Sequence, residues 1–198
     1  MRYGIFVSVF RKYIMKKIEL SRGGKNKGVY FALVDDEDFD YLNQYHWFVI
    51  SKDHNKYASA IINGQNVLMH RLIMKTPEGL QTDHVFHDGL DNRKYIEIDG
   101  VLRCNLRNCT NSQNQMNKRS AKNSSSKYLG VCKIKRTMKY ILKTGAISIH
   151  NYIYYSALIQ HNKKEMYIGS FKTEEQAAKA YNTEAIKYHG EFANLNVI

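Results

Sequence analysis

The chain has 198 residues, room for one compact domain or two small ones. Hydrophobic residues make up 43% of it, which excludes a chain too polar to bury a core. Lysines and arginines number 30 against 18 aspartates and glutamates, a formal charge of +12. That excess favours a polyanionic partner, because each phosphate neutralised by Lys or Arg releases condensed counterions.

Three cysteines, Cys104, Cys109 and Cys132, are too few and too irregularly spaced for a disulfide framework or a cysteine zinc site. A reducing, intracellular setting with access to DNA is therefore expected, with phage, viral, bacterial and organellar settings all open. No apolar run reaches the length of a membrane span, and no basic amphipathic helix suggests a membrane surface. Residues 1–14 are apolar with Arg2, Arg11 and Lys12 mixed in and lack a small-residue cleavage site, so we read them as an N-terminal extension rather than a signal peptide.

In chain order, a short strand is expected over Lys16–Leu20, a Gly- and Lys-rich loop over Ser21–Lys27, and a second strand over Val29–Val34. Asp35 and Asp36 then open a helix through about Trp47, with acids in the first turn where the helix dipole favours them. Tyr57–Ile62 and Gln65–Met69 flank Asn63-Gly64, the pattern of a hairpin with a type I′ turn. The stretch 118–127 is basic, serine-rich and without apolar periodicity, so it reads as a linker between residues 15–117 and 128–198. Beyond it come strand-like segments and one strong helix. Thr173-Glu-Glu-Gln176 is a capping box that starts this helix, Ala177, Ala178, Tyr181, Ala185, Ile186 and Tyr188 form its apolar stripe, and Gly190 stops it.

The residues that could carry chemistry lie between Met69 and Asn117. They fall in His70-Arg71, Thr82-Asp83-His84, Gly89-Leu-Asp-Asn-Arg93, Asn105-Leu-Arg107 and Thr110-Asn-Ser-Gln-Asn114. Hydrolysis of a phosphodiester needs a base for water, positive charge at the leaving oxygen, and groups that hold the phosphate in line. An adjacent Asp-His can divide two of these tasks. Asp83 offers hard oxygen to a divalent ion, and His84 has an ordinary pKa near neutrality. Successive strand residues face opposite ways, so a twist or bulge at Asp83-His84 is expected if both reach one site. Asn114, one turn into a short helix after Thr110, could add an amide oxygen. For His70, packing in the core and catalysis remain equally open.

These strings resemble the HNH family of the intron-encoded and phage homing-endonuclease type. That resemblance implies an α+β fold: a ββα-metal finger, followed here by a small antiparallel sheet packed on one helix. It also implies His84 as general base, Asp83 and Asn114 as ligands of a single Mg2+ (or Mn2+), and Asn105 as a structural asparagine that braces the finger's backbone. Arg71 becomes a phosphate clamp, and Arg93 and Arg107 become DNA contacts. The chain departs from the pattern at Phe86, where the family commonly has Asn, and at an insert of about ten residues, Tyr95 to Cys104. The insert reads as a hairpin around Asp99-Gly100.

Lys127-Tyr-Leu-Gly-Val131, Tyr167-Ile-Gly-Ser-Phe171, the capped helix and Gly190-Glu-Phe-Ala-Asn-Leu-Asn196 resemble the Apetala-two/ethylene-response DNA-binding domain. The resemblance implies a three-stranded sheet whose exposed face enters the major groove. Lys133, Lys135, Arg136, Tyr155, Lys163 and Lys164 are its candidate DNA contacts. An insert near Tyr140–Ile153 is expected to form two short strands with turns at Thr144-Gly145 and His150-Asn151. Together these readings imply a site-specific endonuclease acting on double-stranded DNA as a monomer, with no membrane role. Two other readings were weighed. One is a DNA-binding transcriptional regulator with a decayed nuclease, which the intact Asp83, His84 and Asn114 oppose. The other is an RNA-binding protein, for which the sequence carries no aromatic signature.

Overall fold

A computed structural model describes residues 14–21, 25, 27–52 and 55–198. The expected extension thus lies outside the described residues apart from Ile14, as does part of the Ser21–Lys27 loop. The chain forms two compact units, divided between Thr110 and Asn111. Among the described residues no helix is long and apolar enough to cross a membrane.

The first unit begins with an antiparallel pair, β1 (Met15–Leu20) and β2 (Tyr30–Asp35). Alternation puts Ile18, Leu20, Ala32 and Val34 on one buried face. Helix α1 (Asp36–Asn43) follows, acidic in its first turn, with Leu42 buried. It ends sooner than the sequence reading expected. Trp47 is buried with its indole N–H donating to the Leu42 carbonyl at 2.8 Å, and that bond caps the helix end and starts a strand instead. The strand is β3 (Trp47–Lys52), which with β4 (Asn55–Ile62) and β5 (Gln65–Leu68) makes a three-stranded antiparallel sheet. The β4–β5 turn is Asn63-Gly64 at φ 50° and 77°, as a type I′ hairpin requires.

A single-turn helix, α2 (Met69–Ile73), then buries Met69, His70 and Ile73. Strand β6 (Gln81–His84) pairs antiparallel with β9 (Leu106–Cys109). Between them the expected insert forms its own hairpin, β7 (Tyr95–Ile98) and β8 (Val101–Cys104), turning through Asp99-Gly100 at φ 51° and 74°. One apolar cluster, from Ile18 through Trp47 and Met69 to Leu106, lies under these elements.

The second unit opens with helix α3 (Asn111–Met116). Residues 118–127, read from sequence as a linker, are bonded within this unit. Ser126 is buried against the Glu174 carboxylate at 2.5 Å, the Ser125 hydroxyl accepts from the Lys133 amide at 2.9 Å, and the Lys118 carbonyl accepts from Asn194 at 2.7 Å. Short serine side chains suit this, because they satisfy nearby backbone groups without needing apolar contacts. Three antiparallel strands follow in the order β10 (Val131–Ile141), β11 (Ile147–His161) and β12 (Lys164–Phe171). The turn expected at His150-Asn151 does not form. Those residues lie inside the continuous β11, paired with Met138 and Thr137. Helix α4 (Glu174–His189) packs Ala177, Ala178, Tyr181 and Ala185 against the sheet with Tyr188 part-buried beside them, whereas Ile186, expected on the same stripe, faces solvent. The Thr173 hydroxyl caps it by accepting from the Gln176 amide at 3.2 Å, and Gly190 at φ 55° ends it.

Candidate functional site

The end of β6 delivers Asp83 and His84, which are 5% and 6% exposed. The β6–β9 pairing is regular, Asp83 opposite Arg107 and His84 opposite Leu106, so the expected bulge is absent. The chain turns after His84 instead. The Val85 amide bonds the Asn105 carbonyl at 2.8 Å, and the His87 amide returns to the His84 carbonyl at 2.9 Å. Alternation alone would part the two side chains, yet Asp83 is the first of the charges that act on the His84 ring. The Asp83 carboxylate receives the Arg107 fork on one oxygen, at 2.8 and 3.0 Å. The His84 ring lies 4.7 Å from the His70 ring, edge-on, and 5.8 Å from Tyr57.

Electrostatics favour a neutral His84 that gains support once charged. Burial lowers its pKa, while Asp83, Asp88, the Asn92 side chain and Asp91 pull the other way. His70 is pushed down to about 3, first by burial and then by His84 and Arg71. Its buried Nδ1 has no hydrogen-bond partner in the structure. His70 is thus a neutral ring packed against His84.

The loop between β6 and β7 is held to the unit's core. The Leu33 amide bonds the Leu90 carbonyl at 2.9 Å, and the Asn92 amide bonds the Leu33 carbonyl at 2.7 Å. Asn105 is 1% exposed and donates both amide hydrogens, to the Asp91 and Arg93 carbonyls at 2.9 Å each. It joins the start of β9 to the loop that carries Asp88 and Asp91. Gly89 allows Tyr57 to approach. A side chain there would collide with the Lys56 carbonyl and come within 2.7 Å of the Tyr57 ring.

The three arginines expected to meet DNA are bonded to protein groups. Arg71 Nη1 donates to the Leu80 carbonyl at 2.8 Å, Arg93 forks onto Asp91 at 2.5 and 2.8 Å, and Arg107 holds Asp83. Asn114 lies part-buried on α3, in the second unit. Among the described residues no group of three or more His, Cys, Asp or Glu side chains gathers where it could hold a metal. The buried Asp83 carboxylate is a hard oxygen donor of the kind that Mg2+ or Mn2+ takes, ions that keep much of their water.

In the second unit, the six expected DNA contacts do not share one face. Lys133 is opposite Tyr155 and Lys135 opposite Ile153, on the side turned toward α4, whereas Arg136 pairs with Tyr152 on the other side. Tyr155 is half-buried against the Tyr128, Val131 and Ala157 cluster, so it packs the helix rather than meeting a ligand on the outer face. Lys163 sits in the β11–β12 turn at φ 62°, and Lys164 is exposed at the start of β12. The sequence reading gave no role to Tyr57 or Asn92, both neighbours of His84. Asn92 lies inside a quoted motif and could have been noticed there. Tyr57 carried no local signal, because its relation to His84 is made by the fold.

Over 181 residues the chain is 30% identical to an uncharacterized HNH endonuclease of Acanthamoeba polyphaga mimivirus, spanning 88% of this chain and 79% of that protein. No protein-family model and no solved structure matches it.

Proposed function

The chain belongs to the HNH endonuclease family, and on that premise we propose that it is a site-specific, homing-type endonuclease that hydrolyses phosphodiester bonds of duplex DNA with His84 as general base. The observation that carries this reading is the surrounding of His84. A buried, neutral imidazole can take up a proton, and the carboxylates of Asp83, Asp88 and Asp91 favour the imidazolium that results. His84 takes a proton from water as its oxygen attacks phosphorus. The bond to the 3′-oxygen breaks, that oxygen takes a proton from solvent, and a 5′-phosphate and a 3′-hydroxyl remain. His70 and Tyr57 keep the imidazole from rotating away.

Asp83 is the ligand we assign to a single Mg2+ or Mn2+. The chemistry supplied there on binding is charge neutralisation at the departing oxygen. Arg107 holds the Asp83 carboxylate in place through Oδ2. Asn105 keeps the loop aligned with β9. The second unit is proposed as the DNA-gripping module, an antiparallel sheet on one helix of the Apetala-two type. With one Asp-His pair per chain, a monomer should cut one strand per encounter.

Incubation with supercoiled plasmid, with Mg2+ and with EDTA, tests the proposal. Open-circle DNA should accumulate before linear DNA, and only with the metal. Full activity in EDTA would overturn the one-metal reading, and linear product appearing first would overturn the nicking monomer.

A further inference from the structure

Strands β10 and β11 stay in register from Val131–Ala157 out to Ile141–Ile147, but β12 pairs only with Tyr155–His161. Beyond the Lys133–Tyr155 pair the sheet therefore continues as a two-stranded ribbon. Its eight residues on β10, Ile134 to Ile141, give it a reach of about 26 Å at roughly 3.3 Å per residue. An isolated two-stranded ribbon is marginal in water and needs cross-strand support. One face provides it. The Tyr140 and His150 rings meet edge-on at 5.3 Å, His150 stacks on Tyr152 at 6.3 Å, and the two tyrosine hydroxyls are 3.4 Å apart.

The opposite face continues the side that α4 covers nearer the sheet. Out on the ribbon it carries Ile141, Ile147, Ile149 and Ile153, exposed by 82%, 66%, 58% and 56%, beside Lys135 and Lys139. Isolated exposed apolar residues are ordinary, but four β-branched side chains on one ribbon face make a patch that asks for a ligand. The charge says which kind. No acidic residue occurs anywhere between Asp99 and Glu165, so the whole ribbon is cationic. A purely apolar partner would gain nothing from the lysines, and a basic partner would be repelled.

We propose that this ribbon is an arm that grips duplex DNA, laying its isoleucine–lysine face into the major groove. That groove is about 12 Å wide and admits a two-stranded ribbon, with base methyl groups available to apolar side chains and phosphates on both walls within reach of lysines. The outer part of the arm is the insert that departs from the Apetala-two pattern, and of the expected reader set only Lys135 lies on its isoleucine–lysine face. The inference rests on the reading of the protein as a DNA-acting enzyme.

The test uses the full chain carrying His84→Ala, so that DNA is not cut, and a fluorescein-labelled mixed-sequence duplex followed by anisotropy across a salt series. In one variant Asn-Gly replaces residues 139–149 and closes the ribbon at the Met138–His150 pair. None of the removed residues is buried, so the thermal melt should match the parent. Binding should weaken by about tenfold or more, and the salt slope should fall by about 2 with the loss of Lys139 and Lys143. The double variant Lys135→Gln/Lys139→Gln, with the ribbon intact, should lower the slope by about the same amount. Unchanged affinity and slope in both variants would overturn the arm. Plasmid nicking by the unsubstituted chain is scored separately. If it does not nick while truncation still weakens binding, the nuclease reading fails and the arm stands. If it nicks and truncation leaves binding unchanged, the arm fails and the nuclease reading stands.

Discussion

The arginines of the first unit and the lysines of the second carry the same charge to opposite ends. Arg71, Arg93 and Arg107 are turned inward, on the Leu80 carbonyl, the Asp91 carboxylate and the Asp83 carboxylate. Lys133, Lys135, Lys139 and Lys164 stand in solvent, in a stretch of chain without a single acid. The guanidinium fork suits the first task, because its planar donors fix a carboxylate in position. A lysine on a flexible stem suits the second, because it meets phosphate as a point charge without demanding one geometry. A net charge of +12 therefore overstates the positive charge that these arginines leave exposed, and on our proposal DNA affinity rests on the lysines of the second unit. Chemistry and affinity should respond to different substitutions.

The sharpest way to break that division is His84→Ala. Removal of a general base should cost about a hundredfold to ten-thousandfold in nicking rate, while duplex affinity stays within a few-fold. Rate follows from supercoiled-plasmid cleavage and affinity from anisotropy. Equal nicking by variant and wild type would remove His84 from the chemistry. A large loss of affinity would mean that the buried site also holds DNA, and the division between the units would fail.

Asn105→Ala should come next, and through stability rather than charge. It leaves the Asp91 and Arg93 carbonyls without their donor, which should cost the first unit about 2–6 kcal/mol, given roughly 1–3 for each orphaned group. Chemical denaturation followed by Trp47 fluorescence reads this unit, since Trp47 lies in its core. A loss confined to cleavage, with the unfolding midpoint unmoved, would make Asn105 part of the chemistry instead of its brace. Gly89→Ala should cost less, roughly 1–3 kcal/mol from overpacking against the Lys56 carbonyl and the Tyr57 ring. Its distinguishing sign is a cleavage defect that exceeds the stability defect, because displaced Tyr57 no longer flanks His84. A defect in proportion to stability alone would reduce Tyr57 to filler.

What could be read from sequence was what local chemistry decides. Asn63-Gly64 and Asp99-Gly100 make their turns because both positions need positive φ, and Thr173 caps α4 because its hydroxyl reaches the Gln176 amide. The long helix expected through Trp47 failed because a buried indole bonded to Leu42 redirects the chain, a tertiary preference that periodicity does not contain. The second turn expected at His150-Asn151 failed for a similar reason. Asn151 accepts a hydrogen bond from Thr137 at 2.7 Å, and His150 sits in an aromatic ladder, so residues with turn-forming habits are held extended by their partners across the ribbon. The order of the site motifs was visible, and so was Asn105. That Arg93 and Arg107 would face carboxylates rather than solvent was not, since which of many acids an arginine meets depends on folded neighbours. The reader set misjudged strand parity: Lys133, Lys135 and Arg136 cannot all share a face when side chains alternate.

The smallest expected effect concerns a carboxylate that belongs to neither the chemistry nor the DNA surface, and it sharpens the comparison by showing what an inward charge costs when no arginine holds it. Asp35 is buried, and its Oδ2 accepts from the Lys94 amide at 2.8 Å rather than capping α1. Burial raises its pKa above the ordinary carboxylate value, with Asp38 and Glu37 adding to the rise and Lys94 opposing it. The sign of the pH effect follows from which state takes up a proton first. Well above the raised pKa the carboxylate is charged in both states, and the folded state bears the whole penalty of burying it. As pH falls through the raised value toward the unfolded value of about 3.9, the folded state protonates first, so this group's contribution to stability improves. Asn cannot ionise, and its side-chain oxygen can still accept from the Lys94 amide. Asp35→Asn should therefore raise stability at pH 7 by less than about 1 kcal/mol, the scale of one ordinary hydrogen bond. Its advantage over wild type should shrink on acidification toward the unfolded value. Denaturation midpoints of the two proteins at neutral and acidic pH give the comparison. A variant that loses more stability relative to wild type at pH 7 than in acid would show that the Asp35 charge is welcome where it lies, held by Lys94 as firmly as Arg107 holds Asp83.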